Sequence, residues 1–213
     1  MQTIPGLKLY EPSDVLVLGV GNILWADEGF GVRAVEAFNA KYRLPEKAKI
    51  ADGGTLGMYL LEMIGATKDL LLFDCADLQQ PPGTLRLLEN DEVKFWSATK
   101  ISPHQTGMNE VLALADLQGK APERIAVVAV QPEILQDYGG SLTPACEAAL
   151  AQAVDMARRV LQGWGYEITE RTPDEVVPAL GDASLNKHDY EAARPSEADA
   201  PRQGDVRFFP NFD

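Results

Sequence analysis

Short apolar runs alternate with amphipathic segments along most of this chain. Three of the runs are free of charged residues and predict strands buried on both faces of a sheet, at residues 15–20, 70–73 and 125–130. A weaker strand is predicted at residues 48–51, and a short edge strand is predicted at residues 84–88, after a Pro-Pro-Gly turn.

The segments between these runs have apolar residues spaced as in amphipathic helices. A helix is predicted from about Asp27, because Phe30, Ala34 and Phe38 fall on one apolar stripe. Further helices are predicted over residues 58–64, 107–117 and 143–162, the last with Thr143 as its N-cap. Strands that alternate with helices predict a three-layer α/β fold, with a mainly parallel sheet covered on both faces.

The periodic pattern ends after Gly165. Residues 170–213 contain five prolines and few regularly spaced apolar positions. We therefore expect an α/β domain over residues 14–163 and an acidic, proline-containing tail over residues 164–213 that is partly extended or disordered. An aromatic patch at residues 206–212 lies inside this tail.

Composition excludes several classes of protein. A net charge of −13 disfavours binding to nucleic acid or to anionic membranes. Two cysteines without a CxxC pair disfavour a disulfide framework and a thiolate zinc finger. No signal-peptide pattern, membrane-length apolar run or long heptad is evident, so we expect a soluble, cytoplasmic monomer.

Polar residues follow the predicted strands at their carboxyl ends, where open parallel sheets bind ligands. Glu28 follows the first strand, Asp52–Thr55 follow the second and Asp74 follows the third, while His104 precedes a predicted helix. Glu28, Asp74 and His104 together offer two oxygen ligands and one imidazole. Such a set suits Zn²⁺ or Ni²⁺ with coordination positions left open for water or substrate.

Each of these residues also has a purely structural interpretation. Glu28 is equally an ordinary acid in the first turn of a helix, and Asp74 is equally a hydrogen-bonded loop cap. A lone histidine such as His104 is more often structural than a ligand. We interpret Asp27 as the N-cap of the first helix.

Two competing chemistries are disfavoured. Gly19 and Gly21 precede a helix as in a dinucleotide-binding turn, but Leu24 stands where the third glycine belongs. Cys75 could meet His104 as a thiol nucleophile, although a buried cysteine at a strand end is usually a small hydrophobic residue.

Taken together, the motifs resemble those of the hydrogenase maturation endopeptidases, which process the large subunit of NiFe hydrogenases. The matching segments occur in family order within residues 14–163: Leu18–Ile23 with Asp27 and Glu28, Gly31–Arg33, Asp52–Thr55 with Gly57, Asp74, Pro82–Thr84, and Ile101–Gln105 with Gly107. The resemblance implies a twisted, mostly parallel five-stranded sheet between helices, with one antiparallel edge strand.

The same resemblance implies roles for individual residues. Glu28, Asp74 and His104 take the metal-binding positions, and Asp52, Gly53, Gly54 and Thr55 take the substrate-recognition positions, with Asp52 also a catalytic candidate. The implied activity removes a C-terminal peptide from a hydrogenase large-subunit precursor that already holds nickel. The precursor would present the nickel, and another divalent ion such as zinc is an alternative occupant of the site. The alternative function is a nickel-sensing chaperone that binds the precursor without cutting it.

Overall fold

One five-stranded sheet forms the centre of the molecule. The structure is a computed structural model that describes residues 10–90, 92–93, 103–182 and 185–193, with the backbone alone for residues 103–106. The described residues form seven strands: β1 (Ser13–Val20), β2 (Tyr42–Arg43), β3 (Ala48–Gly54), β4 (Thr67–Cys75), β5 (Leu85–Glu89), β6 (Arg124–Val130) and β7 (Thr169–Glu170).

The order of the strands in the sheet is β3-β1-β4-β6-β5. The first four strands are parallel, and β5 pairs antiparallel with β6 at the edge. The predicted three-layer α/β fold with one antiparallel edge strand is confirmed. All four parallel strands end at the same edge of the sheet, so the residues that follow them meet there.

Helices cover both faces of the sheet. The described residues contain α1 (Phe30–Lys41), α2 (Leu61–Gly65), α3 (Pro103–Leu117), α4 (Pro144–Gly163) and α5 (Lys187–Ala192). The predicted cap of α4 is confirmed, since Thr143 Oγ1 accepts a hydrogen bond from the Cys146 amide at 3.5 Å. None of the described helices combines the length and the apolarity needed to cross a membrane.

Successive residues of the central strands enter two separate cores, as pleated backbone requires. On β1, Val15 and Val17 belong to the core under α1 and α4, whereas Leu16 and Leu18 belong to the core under α2 and α3. All four side chains are inaccessible to solvent. The sheet is therefore buried on both faces, so only its edges and the ends of its strands can contact a ligand or substrate.

Helix α1 lies unusually close to the sheet through two glycines. A Cβ on Gly31 would lie 2.2 Å from the Val20 carbonyl oxygen and 2.3 Å from the Phe73 carbonyl oxygen. A Cβ on Gly19 would lie 2.3 Å from the Gly31 carbonyl oxygen. The first turn of α1 consequently rests directly on the carboxyl ends of β1 and β4.

The chain after residue 163 continues across the α1 side of the domain. β7 pairs antiparallel with β2, Ile168 is buried, and Asn39 Nδ2 donates to the Pro178 carbonyl at 2.8 Å. The expected division at residue 163 stays a prediction. The aromatic patch at residues 206–212 lies outside the described residues.

Candidate active site

The loop after β1 doubles back on itself and brings Glu28 over the end of the sheet. The Gly21 amide donates to the Gly54 carbonyl at 3.0 Å, and the Asn22 amide donates to the Glu28 carbonyl at 3.1 Å. Gly21 has a φ of 137°, and a Cβ there would lie 2.0 Å from the Glu28 carbonyl oxygen. The glycine turn is therefore filled by its own chain, which argues against a phosphate cradle at this position.

Asp27 anchors this loop to a second one. Its buried carboxylate accepts hydrogen bonds from the Glu133 amide at 2.8 Å, the Ile134 amide at 3.0 Å and the Thr143 amide at 2.7 Å. The Thr143 hydroxyl lies 3.0 Å away as a fourth donor. The prediction that Asp27 is the N-cap of the first helix was wrong. Gly29 occupies the N-cap position of α1, and the Asp27 side chain accepts hydrogen bonds from residues more than 100 positions away in the chain.

Asp74 lies at the carboxyl end of β4, between β1 and β6 in the sheet. Its Oδ1 accepts a hydrogen bond from the Cys75 amide at 2.8 Å, and the side chain is only 2% exposed. Glu28 is 5% exposed, so both carboxylates are withdrawn from bulk water.

Glu28 and Asp74 line one small cavity. Its volume is about 20 Å³, which is room for about one water molecule or one ion. The other lining residues come from the ends of β1 and β3, from the turns that follow those strands and from α3: Val20, Gly21, Gly54, Thr55, Gly57, Leu60 and Met108. Buried carboxylate oxygens around a cavity of this size fit a divalent cation, the donor chemistry predicted for these two residues.

His104 belongs to the first turn of α3, four residues before Met108, which lines the cavity. Residues four apart share one face of a helix. The His104 side chain lies outside the described part of the structure, and the described residues alone contain no group of three or more His, Cys, Asp or Glu suited to a metal ion. Assignment of the three metal-binding positions therefore stays a prediction.

The Asp52–Thr55 segment divides between two environments. Gly54 and Thr55 line the cavity with Glu28 and Asp74. Asp52 Oδ1 accepts from the Gly54 amide at 2.8 Å, while a Cβ on Gly181 would lie 3.4 Å from Asp52 Oδ2. Burial raises the pKa of Asp52 above the ordinary aspartate value, and the Gly54 hydrogen bond and the Arg33 charge oppose that rise. Its predicted roles in recognition and catalysis stay predictions.

Both cysteine thiols are buried. Burial, together with the Asp74 carboxylate, raises the pKa of Cys75 well above the ordinary thiol value. Burial likewise raises the pKa of Cys146 to about 12. Because the thiolate is the nucleophilic form, neither residue is suited to nucleophilic catalysis at neutral pH.

A family model described as hydrogenase maturation protease, HycI, matches residues 32–160. The hydrogenase expression/formation protein HupD of Rhodobacter capsulatus is 45% identical over 206 residues, which cover 96% of this chain and 97% of that protein. The chain belongs to the hydrogenase maturation protease family. The hydrogenase 2 maturation protease of Escherichia coli is 40% identical over 158 residues, covering 74% of this chain and 96% of that protein.

The fold of this maturation protease is shared with a solved relative. The hydrogenase maturating endopeptidase HybD from E. coli superposes with a TM-score of 0.70 at 40% identity, covering 74% of this chain and 98% of that one. Membership in the family makes this chain a peptidase.

The sequence pattern missed the residues that hold the loops of this protease together. Gln131 follows β6, and its side-chain oxygen accepts from the Leu78 amide at 2.6 Å, which fixes the loop after β4. Its partner, like those of Asp27, is remote in sequence, so no local pattern identifies either role.

Proposed function

We propose that this protease removes a C-terminal peptide from the nickel-loaded precursor of a NiFe-hydrogenase large subunit. The observation that carries the proposal is the cavity lined by Glu28 and Asp74 in a member of the hydrogenase maturation proteases. A peptidase whose buried carboxylates surround room for one ion is suited to a substrate that brings its own metal.

Glu28, Asp74 and His104 are proposed to bind the nickel carried by the precursor. Two carboxylates and one imidazole leave coordination positions for groups of the substrate, and zinc is a second ion that this set would accept. Nickel that is held by both proteins would place the scissile peptide in a fixed register beside the site.

Gly54 and Thr55 line the same cavity, so a peptide whose nickel is bound there would lie beside this segment. We propose that Asp52–Thr55 recognise the substrate backbone. The hydrogen bond between Asp52 and the Gly54 amide fixes the shape of that segment, and Asp52 is also the proposed catalytic residue.

The test is a set of single variants assayed on the nickel-loaded precursor. Glu28→Gln, Asp74→Asn and His104→Ala should each lower the rate of cleavage by at least about a hundredfold, the upper end of the loss seen when a residue that merely orients a metal ligand is removed. Glu62→Gln, which changes an exposed acid on α2, serves as the matched control and should cleave at the wild-type rate. Normal cleavage by all three site variants, with their thermal unfolding unchanged, would overturn the assignment.

A further inference from the structure

Three large apolar side chains are exposed directly beside the cavity. Leu56 is 49% exposed, Met58 is 44% exposed and Tyr59 is 80% exposed. Together they form a surface that we call the apolar ridge. They are interspersed along the chain with Thr55, Gly57 and Leu60, which line the cavity.

The apolar ridge is held in place by a compact turn. The Leu56 amide donates to the Gly53 carbonyl at 3.0 Å, and the Tyr59 amide donates to the Leu56 carbonyl at 3.1 Å. Leu60, the next residue, is 1% exposed and packs into the core under α2 and α3. One side of the turn is therefore anchored in the protein, while the other presents apolar side chains to solvent.

The ridge is also uncharged in a strongly acidic chain. The nine residues from Gly53 to Leu61 include no charged side chain, although the chain carries 32 acidic and 19 basic residues. Apolar surface of this kind, next to a functional cavity, is typical of a site that binds a protein.

The loop that carries Glu28 also exposes apolar side chains. Leu24, in the loop that carries Glu28, is 39% exposed, and its carbonyl accepts from the Gly139 amide at 2.7 Å. The neighbouring Tyr138 is 65% exposed and packs edge-to-face on Trp25, with ring centroids 5.2 Å apart. Exposed apolar side chains therefore occur on both loops that contribute residues to the lining of the cavity.

We infer that the apolar ridge binds an apolar segment of the hydrogenase precursor adjacent to the bond that is cut. This inference rests on the proposed function for the identity of the substrate. An endopeptidase must hold its substrate chain on both sides of the scissile bond, and the ridge continues the backbone that lines the cavity. The ridge then contributes affinity for the precursor, while cleavage takes place at the residues that line the cavity.

The inference is tested by comparing the double variant Leu56→Ser/Tyr59→Ser with the wild type. Both the KM for cleavage of the nickel-loaded precursor and the Kd for its binding should rise by about tenfold or more, as expected when apolar anchors of an interface are removed. The value of kcat should stay within about twofold, because binding is lost equally from the ground and transition states. The single variant Tyr59→Phe, which retains the apolar ring, should have near-wild-type values of KM and Kd.

Leu117→Ser is the matched control. Leu117 is 84% exposed and lies nine residues beyond Met108 on α3, about 13 Å further along the helix. It should leave KM and Kd unchanged. An equal rise for Leu117→Ser, or unchanged constants for the double variant, would overturn the inference.

Two further outcomes would also overturn the inference. A lower KM in the double variant would mean that the ridge is covered by this chain itself before substrate arrives. A lower kcat with unchanged KM would mean that the ridge serves the chemistry rather than binding. If the wild type binds the precursor without cutting it, the proposed function fails, while the Kd values still test the ridge. If it neither binds nor cuts, both fail.

Discussion

Asp27 shows at the scale of one residue how this site is organised. The carboxylate lies next to Glu28 in the chain, yet it accepts its hydrogen bonds from the loop between β6 and α4. Hydrogen bonds from backbone amides to a buried carboxylate are among the stronger ones in proteins. Asp27 therefore fixes the position of Glu28 without belonging to the lining of the cavity.

Replacing Asp27 with Asn should disrupt this arrangement. An amide group offers one acceptor oxygen in place of two and turns its own donors toward the Glu133, Ile134 or Thr143 amide. We expect the free energy of unfolding to fall by about 3 kcal/mol and cleavage to slow with it. Urea denaturation measures the first effect, and hydrogen exchange of residues 133–143 should become faster.

Glu133→Gln provides the control for Asp27→Asn. Only the backbone amide of Glu133 bonds to Asp27, and its side chain is exposed, so this variant keeps the bond. Equal stability of the Asp27→Asn variant and the wild type would contradict the anchoring role.

At the scale of elements, the segment after α4 belongs with the domain more closely than its sequence suggests. The Tyr166 hydroxyl lies within hydrogen-bonding distance of the Asp14 carbonyl and the Asp69 carboxylate. Ile168 is 8% exposed and packs in the core under α1 and α4. Arg124 lies over the Trp164 ring, 5.1 Å from its centroid.

Two truncations test the predicted end of the domain at residue 163. A chain that ends after Glu170 keeps Tyr166 and Ile168, whereas a chain that ends after Gly163 loses them. The shorter chain should be less stable than the longer one by about 4 kcal/mol, from the lost burial of Ile168 and the lost hydrogen bond of Tyr166. Urea denaturation of the two chains gives the comparison. Equal stabilities would support a domain that ends at residue 163.

The sequence predicted the elements that depend on local pattern. The uncharged runs at residues 15–20, 70–73 and 125–130 became β1, β4 and β6, because a strand covered on both faces must be apolar throughout. Glu28 and Asp74 could be expected near each other, since both follow parallel strands that end at one edge.

Features that depend on distant partners could not be predicted in this way. β7 is two residues long and pairs with β2, so it leaves no periodic signal. The first helix was predicted from about Asp27, but residues 26–29 form a 3₁₀ turn and α1 begins at Phe30. Within this turn the Asp27 amide donates to the distant Ile134 carbonyl, and the Glu28 carbonyl accepts from the Asn22 amide. Gly54 and Thr55 line the cavity, whereas the Asp52 side chain lies beside Gly181, a residue remote in sequence that no local pattern could have indicated.

At the scale of the whole molecule, an ion pair at the amino end of the sheet links the central strands to the segment after α4. Arg124 Nε donates to Asp69 Oδ1 at 2.9 Å, and Arg124 Nη2 donates to Asp69 Oδ2. Burial alone would raise the pKa of Asp69, but the hydrogen bonds from Arg124 and Tyr166 outweigh it and hold that pKa below the ordinary aspartate value.

This lowered pKa of Asp69 predicts a pH dependence of stability. A carboxyl with a lower pKa in the folded state stabilises the protein fully above its unfolded pKa of about 3.9 and loses that contribution as the pH falls through the folded value. Asp69→Asn should therefore lower the free energy of unfolding by about 2 kcal/mol at pH 7, and the gap should narrow below about pH 4. Urea denaturation at several pH values checks the prediction.

Asp155→Asn is the matched control for Asp69→Asn. Asp155 also has a lowered pKa, caused by hydrogen bonds from Arg158 and Arg159, but this cluster lies on the surface of α4. Exposed ion pairs contribute little to stability, so the effect at pH 7 should be much smaller. If the difference in free energy of unfolding between Asp69→Asn and the wild type stayed constant as the pH fell below about 4, the proposed role of the Asp69 pKa would be contradicted.

We propose that this maturation protease cuts a precursor only after nickel has been loaded. The most direct measurement is the intact mass of a hydrogenase large-subunit precursor, nickel-loaded and nickel-free, after incubation with the full chain. We predict loss of a C-terminal peptide from the loaded precursor alone. Equal loss from both precursors would contradict nickel dependence, and an unchanged mass for both within a stable complex would contradict cleavage and favour a chaperone.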